Sequence, residues 1–121
     1  MKSPVLLTIK VFGTYVLVSA AGLILIPNLW LAPLGLPPTQ EIWVRVLGLV
    51  VGVLGYYYWA SALVNARSFF VASVYGRSIF CAGCIGLVLL ASAPWQLIIF
   101  GSIDLAGAIW TRAALRNEAP A

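Results

Sequence analysis

The fold of this chain is decided by residues 95–110, which read WQLIIFGSIDLAGAIW and contain a single charged side chain, Asp104. A helix needs roughly 20 apolar residues to cross the hydrocarbon layer of a bilayer, and residues 95–114 supply them. Three further apolar segments, at about 5–26, 42–64 and 69–93, have the same character. The sequence therefore predicts an all-α membrane protein, one domain over residues 1–121 with four transmembrane helices in an up-down bundle.

The composition indicates that most of this chain is surrounded by lipid and not by water. Of its 121 residues, 63% are hydrophobic and 8% are charged, which leaves too little polar surface to cover a water-soluble globule. The net charge of +4 is scattered at the ends of apolar runs, without the basic patch that nucleic acid requires. We therefore expect the lipid bilayer, together with a protein partner or further copies of the chain, as partners, and no nucleic acid.

The supply of catalytic and metal-binding side chains is small. The sequence has no histidine, and its acidic residues are Glu41, Asp104 and Glu118. Histidine is the commonest general base and metal ligand of proteins, and a glycosidase needs two paired carboxylates. The sequence therefore predicts no metal site, assigns no catalytic residue and indicates no particular cofactor.

Residues 27–40, PNLWLAPLGLPPTQ, separate the first two apolar segments. Four prolines prevent one helix from continuing through this stretch. We predict a loop in the membrane interface, with a short helical turn at about residues 29–34. Trp30 and Trp43 are expected at the level of the lipid headgroups, where tryptophan is enriched.

The basic residues predict the orientation of the four spans. Four crossings place both termini on one side of the membrane, together with the loop at residues 65–68. On that side lie Lys2, Lys10, Arg67, Arg77, Arg112 and Arg116. Only Arg45 lies on the other side, so the positive-inside rule predicts cytoplasmic termini, in the cytoplasmic membrane of a bacterium.

Small and aromatic residues form two patterns in the second span. Gly48, Gly52 and Gly55 recur on one helical face, and such a face lets another helix approach closely. Tyr56, Tyr57 and Tyr58 follow. This aromatic cluster is typical of a headgroup belt, and the alternative is the wall of a small-molecule pocket.

Asp104 lies about nine residues from Trp95, or roughly 13 Å along a helix, and so near the middle of the membrane. Gly101 and Gly107 precede and follow it by one turn, so its face is expected to pack against another helix. The residues that could pair with it or donate to it are Arg77, Arg45, Lys10, Tyr15, Tyr56, Tyr57 and Tyr58, with Arg77 favoured. Two interpretations stay open: a polar clasp that fixes helix packing, or an acid that binds a proton or substrate.

Cys81 and Cys84 form a C-A-G-C motif inside the third span. The spacing matches thiol redox motifs, whereas the apolar helical setting favours simple packing of two small side chains. Arg77 precedes Cys81 by four residues and therefore shares its face. A nearby cation makes a thiolate more reactive, so these cysteines are redox candidates.

Four segments carry a resemblance to a known family: residues 27–38, WVRVLG at 43–48, YGR at 75–77 and DLAGAIWT at 104–111. In these segments and in its overall build the chain resembles the small bacterial four-helix membrane proteins of the DoxX-like type. The resemblance implies four membrane helices with a proline-rich first outer loop. Some DoxX relatives are linked to quinone-coupled sulfur oxidation, and no catalytic residue carries over to this chain.

Three functions are compatible with these patterns. The favoured one is a non-enzymatic accessory or assembly subunit that packs on a larger membrane complex. The alternatives are a homo-oligomeric transporter or lipophile-binding bundle that uses Asp104, and a quinone- or thiol-linked oxidoreductase that uses Cys81 and Cys84.

The predicted orientation can be tested by cysteine labelling in a variant whose two native cysteines are replaced by alanine. On intact bacterial spheroplasts, a membrane-impermeant maleimide should label Leu36→Cys in the first loop. It should label Arg116→Cys only after lysis. The opposite pattern would contradict the positive-inside assignment.

Overall fold

The protein folds into long apolar helices, as a computed structural model of residues 4–38, 40 and 42–117 shows. The four long helices are α1 (Pro4–Leu25), α3 (Ile42–Leu63), α4 (Arg67–Ala91) and α5 (Leu97–Asn117), with a short helix α2 (Pro27–Leu31) after α1. Each long helix has the length and composition of a membrane span, and these described residues contain no strand. The predicted all-α class with four spans is confirmed.

The boundaries of the last two spans differ from the predicted ones for a local reason. Helix α4 ends at Ala91, two residues early, because Ser92 adopts the left-handed conformation (φ 57°) and its N–H bonds to the carbonyl of Leu87. The residue before a proline disfavours the helical region, so Ala93 cannot extend α4 towards Pro94. Three N–H groups, of Leu97, Ile98 and Ile99, then bond back three residues and lead the chain into α5.

The proline-rich segment contains more helix than the one turn predicted. Pro27 opens α2 in the first helical position, where its missing N–H costs nothing, and a 3₁₀ turn follows at Ala32–Leu34. Gly35 ends that turn with φ 75°, a conformation that glycine adopts without strain. The ring of Trp30 lies on Gly22 of α1, where an added Cβ would come within 2.5 Å of Trp30 Cδ2. Trp30 is therefore partly buried against α1, whereas Trp43 is 70% exposed.

The described chain packs as two compact units. The central unit comprises Lys10–Val64, and the terminal unit combines the start of α1, through Ile9, with the chain from Asn65 onward. The prediction of one domain over residues 1–121 stays a prediction, and Glu41, Glu118 and Lys2 lie outside the described residues.

In the central unit, α1 and α3 run antiparallel and meet through glycines. A Cβ at Gly48 would lie 2.7 Å from Ile24 Cγ1, and one at Gly55 would lie 2.7 Å from Leu17 Cγ. Between them, Gly52 faces Ala20. The face of α3 that the sequence marks as a packing surface thus lies directly on α1, at a separation that only small residues allow.

In the terminal unit, α4 and α5 form an antiparallel pair after the turn at residues 92–96. The buried residues of α4 recur every three or four positions: Phe70, Ser73, Arg77, Cys81 and Cys84. Those of α5 follow the same period: Gly101, Ala108, Thr111 and Ala114. Three of these side chains are polar or charged, so the contact between the helices is only partly apolar.

Glycines that touch a neighbouring helix should respond to substitution differently from glycines that do not. Gly48→Leu should lower the free energy of unfolding by about 1–3 kcal/mol, because the added side chain collides with Ile24 and Leu23. The matched control is Gly83→Leu on α4, since no atom of its own unit lies within 4 Å of an added Cβ. Unfolding in mixed micelles, followed by circular dichroism, compares the two, and equal stabilities would contradict the packing described for Gly48.

Candidate functional site

The most polar place in the spans is a cluster around Arg77, which is only 3% exposed. Its Nε donates to the backbone carbonyl of Ser73 (3.1 Å), and its Nη2 donates to Ser73 Oγ and Thr111 Oγ1 (3.0 Å each). Thr111 in turn donates to Thr8 Oγ1 at 2.9 Å. We call Thr8, Ser73, Arg77 and Thr111 the Arg77 cluster. It joins the start of α1 to α4 and α5 within the terminal unit.

Two of the three hydroxyl groups of this cluster, those of Thr8 and Ser73, are oriented by their own helices. Thr8 donates to the carbonyl of Val5 (2.8 Å), and Ser73 donates to that of Phe70 (2.7 Å). Each hydroxyl hydrogen is thereby directed to its own helix, and the oxygen lone pairs stay available as acceptors. The arrangement surrounds a positive charge with oxygen acceptors, which offsets the cost of removing that charge from water.

Asp104 is half-buried on the same helix pair, two turns before Thr111 and about 10 Å from it along α5. The hydrogen bonds described for Arg77 go to the hydroxyls and the carbonyl above, and Asp104 interacts electrostatically with both Arg77 and Cys84. The structure therefore brings the favoured pair of the sequence, Asp104 and Arg77, to one helix pair. The described hydrogen-bond partners of the guanidinium are the hydroxyl groups of Ser73 and Thr111 and the backbone carbonyl of Ser73.

Cys81 and Cys84 are both buried, with free thiols, where α4 meets α5. A Cβ at Gly101 would lie 3.0 Å from Cys81 Cα and 3.3 Å from Cys84 Cβ. The absence of a side chain at Gly101 thus lets the backbones approach beside the cysteines. Gly107, the other glycine near Asp104, is half-buried on α5.

The other candidate residues lie in the central unit and have partners there. Lys10 places its Nζ 5.7 Å from the ring centroid of Trp59, a cation–π distance, and Trp59 Nε1 donates to Thr14 Oγ1 (3.2 Å). Arg45 donates through Nη1 to the carbonyl of Ile24. Both cations are therefore engaged by neighbours within that unit.

The tyrosine cluster is divided by its helix. Tyr56 and Tyr57 are exposed, as residues of a lipid or headgroup contact would be, whereas Tyr58 is 6% exposed and packs on Phe12 with ring centroids 5.4 Å apart. Phe12 also contacts Tyr15 at 5.5 Å. The rings of Tyr56 and Tyr57 lie 5.9 Å apart, whereas Tyr58 points to the buried side of the helix, so the three tyrosines do not form one aromatic wall.

The sequence reasoning missed Thr8, Ser73 and Thr111. Ser73 could have been found from its position four residues before Arg77 on the same helical face. Thr8 and Thr111 are 103 residues apart in the chain, so only the tertiary structure pairs them. Within the described residues, no group of three His, Cys, Asp or Glu side chains could hold a metal ion.

The Arg77 cluster predicts an asymmetric response at Thr111. Thr111→Val keeps the shape but removes the acceptor for Arg77 and the donor to Thr8, so it should lower the free energy of unfolding by about 1–3 kcal/mol. Thr111→Ser retains the hydroxyl and should lose less than half of that. Chemical unfolding in micelles measures both, and a valine variant as stable as the serine variant would contradict the role of the hydroxyl.

No protein-family model matches the chain, and neither the curated proteins nor the solved structures include a significant match. The resemblance to the DoxX-like families therefore stays an expectation from the sequence.

Proposed function

We propose that this chain is a small, non-enzymatic accessory subunit of a larger membrane complex, and that it packs on a partner helix through α4. The proposal rests on a difference between its glycines: some contact a neighbouring helix and others do not. Gly48, Gly55 and Gly101 each touch a neighbouring helix, whereas no atom of their own unit lies within 4 Å of an added Cβ at Gly76, Gly83 or Gly86.

These three glycines lie along one side of α4. Gly76 and Gly83 are two turns apart, with Ile79 between them on the same face, and Gly86 follows one turn later. The glycines leave shallow gaps on this face, which we call the α4 groove. Large apolar side chains alternate with the gaps: Ile79 is 70% exposed and Leu90 is 90% exposed. Small residues bordered by large ones allow two membrane helices to approach closely and interlock.

The position of Arg77 supports a structural role for the buried charge. The guanidinium is held by Ser73 and Thr111, and through Thr111 it is linked to Thr8. A charge engaged in this way links three helical segments, which supports a structural role for Arg77; the clasp interpretation of Asp104 stays a prediction.

The proposal includes a bacterial cytoplasmic membrane and cytoplasmic termini, which the distribution of basic residues favours. Arg77 drops out of that charge count, because it lies ten residues after the start of α4, roughly 15 Å along the helix, and is buried. Arg67, Arg112 and Arg116 stay near the helix ends that the proposal places inside, and Arg45 stays near the opposite ends.

A second candidate, the thiol-linked oxidoreductase, is favoured by one observation. Cys81 and Cys84 lie one turn apart on the buried face of α4, and both thiols are free. Oxidation of the pair to a disulfide would pass two electrons to a quinone, and the two protons would leave with them.

The partner proposal is tested by gentle extraction in mild detergent followed by native mass spectrometry. The wild-type chain should be recovered with a stoichiometric protein partner. Gly83→Leu should lose at least about nine-tenths of that partner, because a leucine fills the groove, while its thermal stability stays unchanged. The control, Ala106→Leu, makes the same kind of substitution at an exposed position of α5 and should keep the partner.

Other outcomes of this experiment would overturn the proposal. Equal recovery of the partner from both leucine variants would rule out the α4 groove as the contact. A homodimer that carries a lipophilic molecule would favour the transporter or lipophile-binding alternative. A mass lower by two hydrogens at Cys81 and Cys84 after quinone addition would favour the oxidoreductase.

A further inference from the structure

An open recess of about 400 Å³ lies in the central unit, where α1 ends and α3 begins. One part of its wall is apolar and is formed by Leu25, Ile26 and Leu29. The other part is polar and is formed by Asn28, Gln40 and Arg45. The lining is therefore amphipathic, which suits a ligand with a charged head and an apolar body.

The ends of two membrane spans fix the level of this recess. Leu25 is the last residue of α1, and Ile42 is the first residue of α3. Trp43 follows Ile42 in the chain and is 70% exposed, as expected for a side chain at the boundary between headgroups and hydrocarbon. A molecule in the recess would contact both the headgroup region and the hydrocarbon region of one membrane leaflet.

Arg45 is held at this level by a backbone contact. It lies in the first turn of α3, and its Nη1 donates to the carbonyl of Ile24 in the last turn of α1, where carbonyls lack partners within the helix. A guanidinium has five N–H donors in a planar fork, and Arg45 is exposed, so the group has capacity for a two-pronged bond to an oxyanion.

We propose that this recess binds the phosphate group of an anionic membrane phospholipid. Arg45 holds the phosphate, and Asn28 and Gln40 provide amide donors around it. Leu25, Ile26 and Leu29 lie against the glycerol and the first carbons of the acyl chains. The site is independent of the α4 groove, so either proposal can fail without the other.

Native mass spectrometry of the full chain tests this site with phosphatidylglycerol as the probe lipid. The wild-type protein should retain one phosphatidylglycerol, and Arg45→Gln should weaken retention about tenfold, because a charge-assisted bidentate contact is lost. Arg112→Gln removes an exposed charge on α5 and should retain the lipid like the wild type.

A second variant separates lipid binding from the contact between Arg45 and Ile24. Gln40→Trp places a large ring in the recess at an exposed position and leaves Arg45 in place. It should lose the lipid while keeping the melting temperature of the wild type. Glu41, which lies outside the described residues, is unchanged in every variant.

Three results would overturn the assignment. Lipid retention by Arg45→Gln equal to that of Arg112→Gln would exclude Arg45 as the phosphate ligand. Unchanged lipid retention by Gln40→Trp would show that the lipid does not bind in the recess. The contact of Arg45 would then be limited to its hydrogen bond with the carbonyl of Ile24. Displacement of the lipid by millimolar inorganic phosphate would identify a site for the free anion.

Discussion

The packing of the terminal unit depends on how one buried positive charge is solvated. Arg77 cannot reach water from its place between α4 and α5, so the protein must supply acceptors at hydrogen-bond distance. Ser73 and Thr111 supply them, and Thr8 accepts a hydrogen bond from the hydroxyl group of Thr111. This requirement fixes the rotation of α4 and α5 about their axes, because each helix must present a hydroxyl group, Ser73 or Thr111, to the guanidinium. Apolar side chains alone would leave that rotation less strictly determined.

The four spans could be predicted from the sequence because length and apolar character are local properties of the chain. The ends of α4 and α5 were predicted less well, since the left-handed conformation of Ser92 and the turn after Pro94 depend on backbone geometry. The partners of Arg77 could be predicted only in part. Ser73 lies on the same face of α4 as Arg77. Thr111 is distant in the chain, and nothing in the sequence distinguishes its hydroxyl group from those of other serines and threonines in apolar segments. Asp104 was predicted as a partner of Arg77 because it is an acid, whereas the hydrogen bonds described for Arg77 go to neutral groups.

Glycine has two distinct uses in this chain, and sequence alone does not separate them. Gly48, Gly52 and Gly55 face α1, and Gly101 faces the cysteines of α4, so these glycines hold the protein's own helices together. Gly76 and Gly83 have the same helical spacing and the same chemistry, yet they have no neighbour within their own unit. The difference appears only when the distance from each glycine to the surrounding atoms is known.

The hydrogen bond between Thr111 and Thr8 spans 103 positions of the chain, nearly its whole length. During synthesis Thr8 is made first, and Thr111 follows only after α4 and most of α5. Until then the guanidinium of Arg77 lacks one of its acceptors, and the half-made protein carries an incompletely compensated charge inside the bilayer. The amino-terminal helix therefore gains its hydrogen bond to this cluster only after most of α5 has been synthesised.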